Sequence, residues 1–294
     1  MQVLVTGATG FVGRPLLRAL AAAGHAVLVV SRSPGRAPMR AIGWDEVPHA
    51  IDEMDAVVNL AGEPVAEGRW SDARKQAIRT SRIDGTRAIV RAMREAKKRP
   101  GVLVNASAAG FYGACGDEVI DETAPPGHDF LAGVCKAWEA EAVAAEALDV
   151  RVVRLRIGIV LGPDGGALGR MLLPFRAGLG GPAGSGKQWM PWIHLDDACG
   201  LIVAALAGGA AFGGALNVTA PNPVRNGDFA RALGHALSRP AVLPLPGFVL
   251  RLGFGEMATI LLTGQRAVPA AAQQLGYTFK HPELPGALAD LLAR

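Results

Sequence analysis

The stretch Thr6-Gly7-Ala8-Thr9-Gly10-Phe11-Val12-Gly13 decides the fold. A short apolar run, Val3-Leu4-Val5, precedes it, and Leu16, Leu17 and Leu20 follow at helical spacing. The order is strand, glycine turn, helix start, the setting in which a glycine triplet reads as a dinucleotide fingerprint. Glycine lets the chain turn sharply and brings N–H groups at a helix N-terminus close to a pyrophosphate. Pro15 falls in the first helical turn, where a missing N–H costs little. Gly24 closes the helix, and Ala26-Val27-Leu28-Val29-Val30 follows as a second buried strand. Gly7, Thr9, Gly10, Phe11, Val12 and Gly13 are therefore cofactor-binding candidates.

The residues after that second strand choose the dinucleotide. An NAD site carries an acidic residue there, about twenty residues past the fingerprint, to hold the ribose 2′-hydroxyl. This chain has no Asp or Glu before Asp45. Ser31, Arg32 and Arg36 occupy the region instead, with Arg40 nearby. A carboxylate repels a 2′-phosphate, whereas a guanidinium pairs with it through two parallel hydrogen bonds. NADP(H) is the expected cofactor, with Ser31, Arg32 and Arg36 beside its 2′-phosphate.

Farther along, Asp55 to Gly62 is an apolar strand ending in small residues. In a doubly wound sheet ligands lie beyond the carboxyl ends of the strands, so Leu60, Ala61, Gly62 and Glu63 should border the cofactor. A helical region runs from Ala73 to Arg99, a strand from Gly101 to Ser107 and a glycine-rich turn to Gly113. Asp129 is placed to cap a helix from Phe130 to Leu148, and Val150 to Ile157 reads as another strand. Alternating strands and helices imply an α/β fold, a parallel sheet covered on both faces. Past Gly162 the texture changes to loops rich in Gly and Pro. The expected division is a dinucleotide-binding domain over 1–162, its sheet completed by 194–220, and a smaller substrate lobe over 163–294. Residues 240–294 form the lobe's helical end, and a cleft over the cofactor would take the substrate.

Composition narrows the partners. Half of the 294 residues are hydrophobic and 19% are charged, with a net charge of +4. Lys97-Lys98-Arg99 is the one tight basic run and ends a helix, where cations suit the dipole, so a nucleic-acid surface is not expected. Cys115, Cys135 and Cys199 match neither a zinc pattern nor a disulfide framework, which suits a reducing, cytoplasmic setting without a bound metal. Ala198 to Leu216 is uncharged, but glycine pairs divide it into helix, turn and strand, so no membrane span is expected. The expected partner is a small molecule, and a homodimer is left open.

The fingerprint, Asn59-Leu60-Ala61-Gly62, Phe111-Tyr112-Gly113, Leu161-Gly162-Pro163 and Ile193-His194-Leu195-Asp196-Asp197 together resemble an extended short-chain dehydrogenase/reductase of the nucleoside-sugar epimerase type. Residues 59–64, 81–86, 134–139 and 184–197, with Gly264-Gln265-Arg266 near the end, resemble one atypical subgroup of epimerase family proteins. Its members carry a C-terminal domain of unknown function. The resemblance spans the whole chain and implies a Rossmann fold with bound NADPH. It brings no settled substrate.

The resemblance also implies a catalytic set. These enzymes move the hydroxyl proton with a Tyr, whose pKa is lowered by a Lys four residues later, while a Ser or Thr orients the substrate oxygen. A free phenol, with a pKa of about 10, is otherwise too weak a base at neutral pH. Lys136 is taken as the motif's Lys, which puts Ala132 at the Tyr position and Ala108 at the Ser/Thr position. Three readings follow. Ser107 and Tyr112 act as substitutes, Tyr112 being equally readable as a packing ring. Alternatively Lys136 keeps only its bond to the nicotinamide ribose, and Glu63, His194, Asp196 or a water moves the proton. His194 and Asp196 read equally as tethers of the lobe, and Tyr277 as core packing. In the third reading the protein binds NADPH as a regulator or scaffold and turns nothing over. Arg82, Gln188 and Trp192 are substrate-binding candidates; Arg82 reads equally as a partner of Asp84 or Glu63, and Trp189 and Trp192 as lobe packing.

Overall fold

Seven parallel strands form the sheet at the centre of the computed structural model, which describes residues 1–37 and 39–293. They are β1 (Gln2–Thr6), β2 (Ala26–Val30), β3 (Ala41–Ile42), β4 (Ala56–Asn59), β5 (Val102–Ala108), β6 (Arg151–Ile157) and β7 (Gly214–Val218). Their spatial order is β7-β6-β5-β4-β1-β2-β3. The winding reverses between β1 and β4, and a crevice opens beyond their carboxyl ends, as doubly wound sheets require.

Four helices cover the sheet: α1 (Gly13–Ala22), α2 (Asp72–Glu95), α3 (Phe130–Val143) and α4 (Leu195–Ala207). Leu16 and Leu20 of α1 and Leu201 and Ile202 of α4 pack on Val3, Val5, Val104 and Leu155. On the other face Ile89 and Met93 of α2 and Ala142 of α3 pack on Leu4, Val57, Leu103 and Val152. Strands buried on both faces must be apolar throughout, which is why the sequence shows runs rather than alternation. Each large side chain so buried contributes about 1.5–3 kcal/mol.

Toward the carboxyl ends of the strands this second face turns polar. Thr6, Asn59 and Asn105 lie in register on β1, β4 and β5, and all are buried. Thr6 Oγ1 donates to Asn59 Oδ1 at 2.6 Å, and Asn59 Nδ2 donates to Asn105 Oδ1 at 2.6 Å and to Thr86 Oγ1 at 2.8 Å. A buried amide left unpaired costs about 1–3 kcal/mol, so the ladder locks the strand ends beneath the crevice. Two residues farther on, Ser107, Arg156 and Asn217 form a second row across β5, β6 and β7.

The smaller lobe has its own core of Leu161, Trp192, Phe229, Leu233 and Leu288, closed by α5 (Leu284–Ala293). The uncharged stretch 198–216 resolves into α4, a glycine turn and β7, and no helix among the described residues is long and apolar enough to cross a membrane. His194 joins lobe to sheet. Its Nδ1 accepts the Asp196 N–H at 3.0 Å to cap α4, its Nε2 lies 3.2 Å from Asp290 on α5, and its ring stacks on His281 at 3.8 Å. Asp197 accepts the N–H groups of Lys280 and His281, both at 2.8 Å. Ligand atoms of His194, Asp196, His281 and Asp290 fall within 4.8 Å of one another. The Asp196 N–H takes the Nδ1 lone pair and Nε2 meets Asp290, so His194 works as a latch between α4 and α5.

Candidate functional site

At the crevice the main chain does most of the shaping. Gly7 has φ +69°, and a side-chain carbon there would lie 2.6 Å from the Leu60 carbonyl. A carbon on Gly13 would lie 2.3 Å from Gly7 O. The first turn of α1 is therefore laid directly on the loop after β1, and only glycine fits the two contact points. Such a bare cradle at a helix N-terminus fits a pyrophosphate. The Phe11 ring faces the other way, into a hollow left by Gly162, Gly165 and Gly166, where added carbons would come within 2.8, 2.9 and 2.8 Å of it. Phe11 thus ties the cradle to the loop that opens the lobe.

Arg32 and Arg36 are exposed beyond β2, the latter in the short turn Pro34–Arg36, and neither joins an ion pair among the described residues. Ser31 Oγ accepts the Ser33 N–H at 3.0 Å and shapes this loop. Ala61 N donates to Thr6 Oγ1 at 3.2 Å, which holds the end of β4 against β1. Glu63 is a clamp rather than a free base: its carboxylate takes Arg74 at 2.8 Å and its N–H donates to Ser81 Oγ at 3.0 Å.

A cavity of about 440 Å³ adjoins the ends of β4 and β5 and is roofed by residues from 256 to 265. Helix α3 supplies one wall. Asp129 caps it by accepting the Ala132 N–H at 2.8 Å, which fixes its phase. Leu131, Val134, Cys135 and Trp138 then face the cavity, at the spacing of a single helical stripe. Lys136 is exposed and does not line it. Because an α-helix turns roughly 100° per residue, a register one residue out points the side chain away. The pairs four residues apart that line the cavity are Phe130–Val134, Leu131–Cys135 and Val134–Trp138, and Lys136 belongs to none of them. Ala108 lines the cavity as well. Burial, with the Glu139 carboxylate behind it, pushes the Cys135 thiol up to about 11, so it keeps its proton at neutral pH.

Ser107 and Tyr112 belong to a buried network behind this wall. Ser107 Oγ donates to Glu139 Oε1 at 2.7 Å, and Arg156 grips the same carboxylate with Nε at 2.9 Å and NH2 at 3.0 Å. The Tyr112 hydroxyl donates to Asn217 Oδ1 at 2.7 Å and accepts from Arg156 at 3.0 Å. Burial pushes its phenol up to about 12, against the pull of Arg156, and it does not line the cavity. Tyr112 is thus a structural anchor, and Ser107 touches the cavity only as a group committed to Glu139.

Two further candidates are displaced. Trp192 is fully buried in the lobe core, its Nε1 donating to Asn222 O at 2.9 Å. Gln188 Nε2 donates to Ala183 O at 3.0 Å and Leu261 O at 2.7 Å, joining two lobe segments outside the cavity. Neither lines the cavity: Trp192 Nε1 and Gln188 Nε2 donate to the lobe's own backbone, and Gln188 Oε1 is buried without a hydrogen-bond partner among the described residues. His194 and Asp196 lie at the latch. Arg82 and Trp189 do line the cavity, together with Trp70, Phe130 and Trp138, which the sequence reading passed over. The signal for Leu131, Cys135 and Trp138 was present: apolar residues at 131, 134, 135 and 138, one helical face, with Lys136 off it. At the roof, Gln265 Nε2 donates to Gly113 O, Gly264 O accepts from Cys115 N at 3.1 Å, and Arg266–Ala267 pairs with Val119–Ile120.

Residues 3–218 match the NAD dependent epimerase/dehydratase family, and residues 245–291 match a domain of unknown function, DUF1731. The chain is 44% identical over 304 residues to the chloroplastic epimerase family protein SDR39U1 homolog of Arabidopsis thaliana, covering 99% of this chain and 87% of that protein. The crystal structure of human epimerase family protein SDR39U1 (isoform2) with NADPH matches at TM-score 0.93 and 38% identity, covering 100% of both chains. UDP-glucuronic acid 4-epimerase from Bacillus cereus, solved with UDP-glucuronic acid and NAD, matches at TM-score 0.79 and 19% identity, a likeness of fold alone.

Proposed function

Because this chain belongs to the NAD dependent epimerase/dehydratase family, we propose that it binds NADP(H) in the crevice and reduces, oxidises or epimerises a small carbonyl or hydroxyl compound in the adjoining cavity. The observation that carries the reading is the cradle: Gly7 and Gly13 leave no room for a side chain, while Arg32 and Arg36 at the end of β2 join no ion pair among the described residues. The bound NADPH of the human relative supports the same cofactor here.

The main chain at Gly7, Gly10 and Gly13 and the start of α1 would hold the pyrophosphate, with Thr9 and Val12 beside it. Arg32 and Arg36, with Ser31, would hold the 2′-phosphate. Leu60, Ala61 and Gly62 border the same crevice. When bound, NADP(H) supplies or accepts a hydride. Leu131, Val134 and Trp138 keep water from the reacting end of the cavity, and Cys135 Sγ holds a proton there. Residues 163–294, by this reading, close over the substrate. A reducing compartment such as the cytoplasm suits Cys115, Cys135 and Cys199, all free thiols.

One observation favours a second reading. Ala108 lines the cavity at the position read as the family's Ser or Thr, no Tyr or Lys lines it among the described residues, and a regulator that binds NADPH without turnover needs none of those three. Calorimetry with NADPH and NADH, followed by NADPH oxidation against a panel of carbonyl compounds, separates the readings. The enzyme reading expects tighter NADPH binding and turnover of at least one carbonyl that Cys135→Ala slows. NADPH binding with no turnover across the panel supports the regulator. Binding of neither cofactor defeats both.

A further inference from the structure

We propose that the cavity takes a substrate bearing a single carboxylate on a flat apolar body, and that the Nε–NH2 edge of Arg82 receives that carboxylate. The proposal rests on the cavity being the substrate site. Arg82 stands on α2, and its NH1 donates to the main-chain carbonyls of Glu63 at 2.9 Å and Ile78 at 3.0 Å. A side-chain carbon on Gly62 would sit 3.0 Å from Cζ, nearer than to NH2 at 3.2 Å or Nε at 3.3 Å. Gly62 therefore approaches the guanidinium over its plane and not at its Nε–NH2 edge. Trp138 lies alongside, its ring 5.1 Å from Cζ. Among the described residues, Nε and NH2 have no hydrogen-bond partner, and no carboxylate comes within 4.0 Å of the guanidinium. The Glu63 carboxylate, its acidic neighbour, is taken by Arg74 at 2.8 Å. An Nε–NH2 edge is the fork that meets a carboxylate with two parallel hydrogen bonds. A half-buried cation with no carboxylate within 4.0 Å carries a desolvation cost, and an incoming anion relieves that cost.

The remaining lining sets the class of molecule. Among the described residues lining the cavity Arg82 is the only cation, beside two carboxylates, Asp129 and Glu256. Both are engaged, Asp129 as the cap of α3 and Glu256 in an ion pair with Lys75. A nucleoside diphosphate would bring two or more negative charges to one cation and two carboxylates, a poor electrostatic match. Trp70, Phe130, Trp138 and Trp189 offer flat walls, and about 440 Å³ is room for a two-ring body.

The test uses three probes on the NADPH-loaded protein, read by calorimetry and by tryptophan fluorescence: 2-naphthoate, the uncharged 2-naphthamide of the same shape, and UDP-glucose. Naphthoate should bind at least tenfold tighter than the amide, and UDP-glucose more weakly than naphthoate. Arg82→Met should erase the naphthoate preference and leave NADPH affinity within about twofold, while Arg82→Lys, which keeps the charge, should retain part of the preference. If Arg82→Met does not fold, the naphthoate–naphthamide ratio in the unmodified protein and in Arg82→Lys still decides. Equal binding of the acid and amide, no saturable binding of either, or tighter binding of UDP-glucose overturns the proposal. So does loss of NADPH binding in Arg82→Met, which would assign the guanidinium to the cofactor. Failure of the unmodified protein to bind NADPH is a different result, and it strikes the functional reading itself.

Discussion

The two sides of the site are built by different means. On the β1 side the surface is main chain: Gly7, Gly10 and Gly13 supply shape by lacking side chains, and the contacts they make are with other backbone atoms. On the β5–α3 side the surface is made of side chains, Ala108, Leu131, Cys135 and Trp138, backed by the charged network of Glu139, Arg156, Ser107 and Tyr112. A backbone-built surface tolerates few substitutions, so its residues announce themselves. A surface of side chains keeps its geometry while its chemistry changes, and this one retains the wall without a Tyr–Lys pair.

The backing network carries the largest expected effect. Glu139 is buried and holds Arg156 and Ser107 together. Glu139→Ala should cost about 3–5 kcal/mol, since it leaves Arg156 buried without its partner. Urea unfolding measures it. A loss below about 1 kcal/mol would mean that the second wall does not depend on this pair. The cradle comes next. Gly13→Ala sets a methyl carbon 2.3 Å from Gly7 O and should cost about 3 kcal/mol by overpacking, with loss of NADPH binding. Gly133→Ala on the exposed side of α3 meets nothing within 4 Å and should be neutral or slightly stabilising. Similar losses at both positions would erase the contrast between a shaped backbone and an ordinary one.

That contrast also explains what the sequence made legible. The doubly wound order, the fingerprint and the absent carboxylate before Asp45 could all be read, because glycine spacing and apolar runs encode backbone geometry directly. The cavity-facing stripe of α3 is not the face that carries Lys136. Lys136 is the only Lys in its segment and drew the motif onto itself, while the cap at Asp129 and the stripe at 131, 134, 135 and 138 set a different phase. Tyr112 stays open between catalyst and packing ring in the sequence for another reason. Its hydroxyl partners, Asn217 and Arg156, lie 105 and 44 residues away, and no local pattern reports such a contact. Trp192 and Gln188 likewise answer to a lobe core assembled from distant segments.

Tyr112 offers a smaller effect with a defined sign. Its phenol is raised from the ordinary 10.0 to about 12, chiefly by burial, so the folded protein holds that proton where the unfolded chain has released it. The stabilisation is complete below pH 10 and falls away between pH 10 and about 12. Tyr112→Phe should lower stability by about 1–3 kcal/mol at neutral pH, by leaving Asn217 Oδ1 without its donor, and should flatten the decline above pH 10. Urea midpoints measured at pH 8, 10 and 11 in both proteins show whether the slopes differ. On the opposite side Arg32→Ala should weaken NADPH about tenfold and leave NADH nearly unchanged, the value of one charge-assisted contact at an exposed site. Equal loss for both cofactors would free Arg32 from the 2′-phosphate and shift that role to Arg36.

The smallest expected effect discriminates most sharply between a motif and a surface. Lys136 is exposed and off the cavity-facing stripe of α3. Lys136→Ala should therefore change stability by less than about 0.5 kcal/mol and leave NADPH affinity unaltered. Cys135, its neighbour in sequence, faces the cavity with a protonated thiol. Cys135→Ala should alter NADPH binding or turnover while costing little more than the loss of a buried sulfur. The two substitutions differ by one position in the chain and by roughly 100° around the helix. A Lys136→Ala variant that loses NADPH while Cys135→Ala keeps it would require α3 to be rotated by that angle, and the wall of Leu131, Cys135 and Trp138 would have to be redrawn with it.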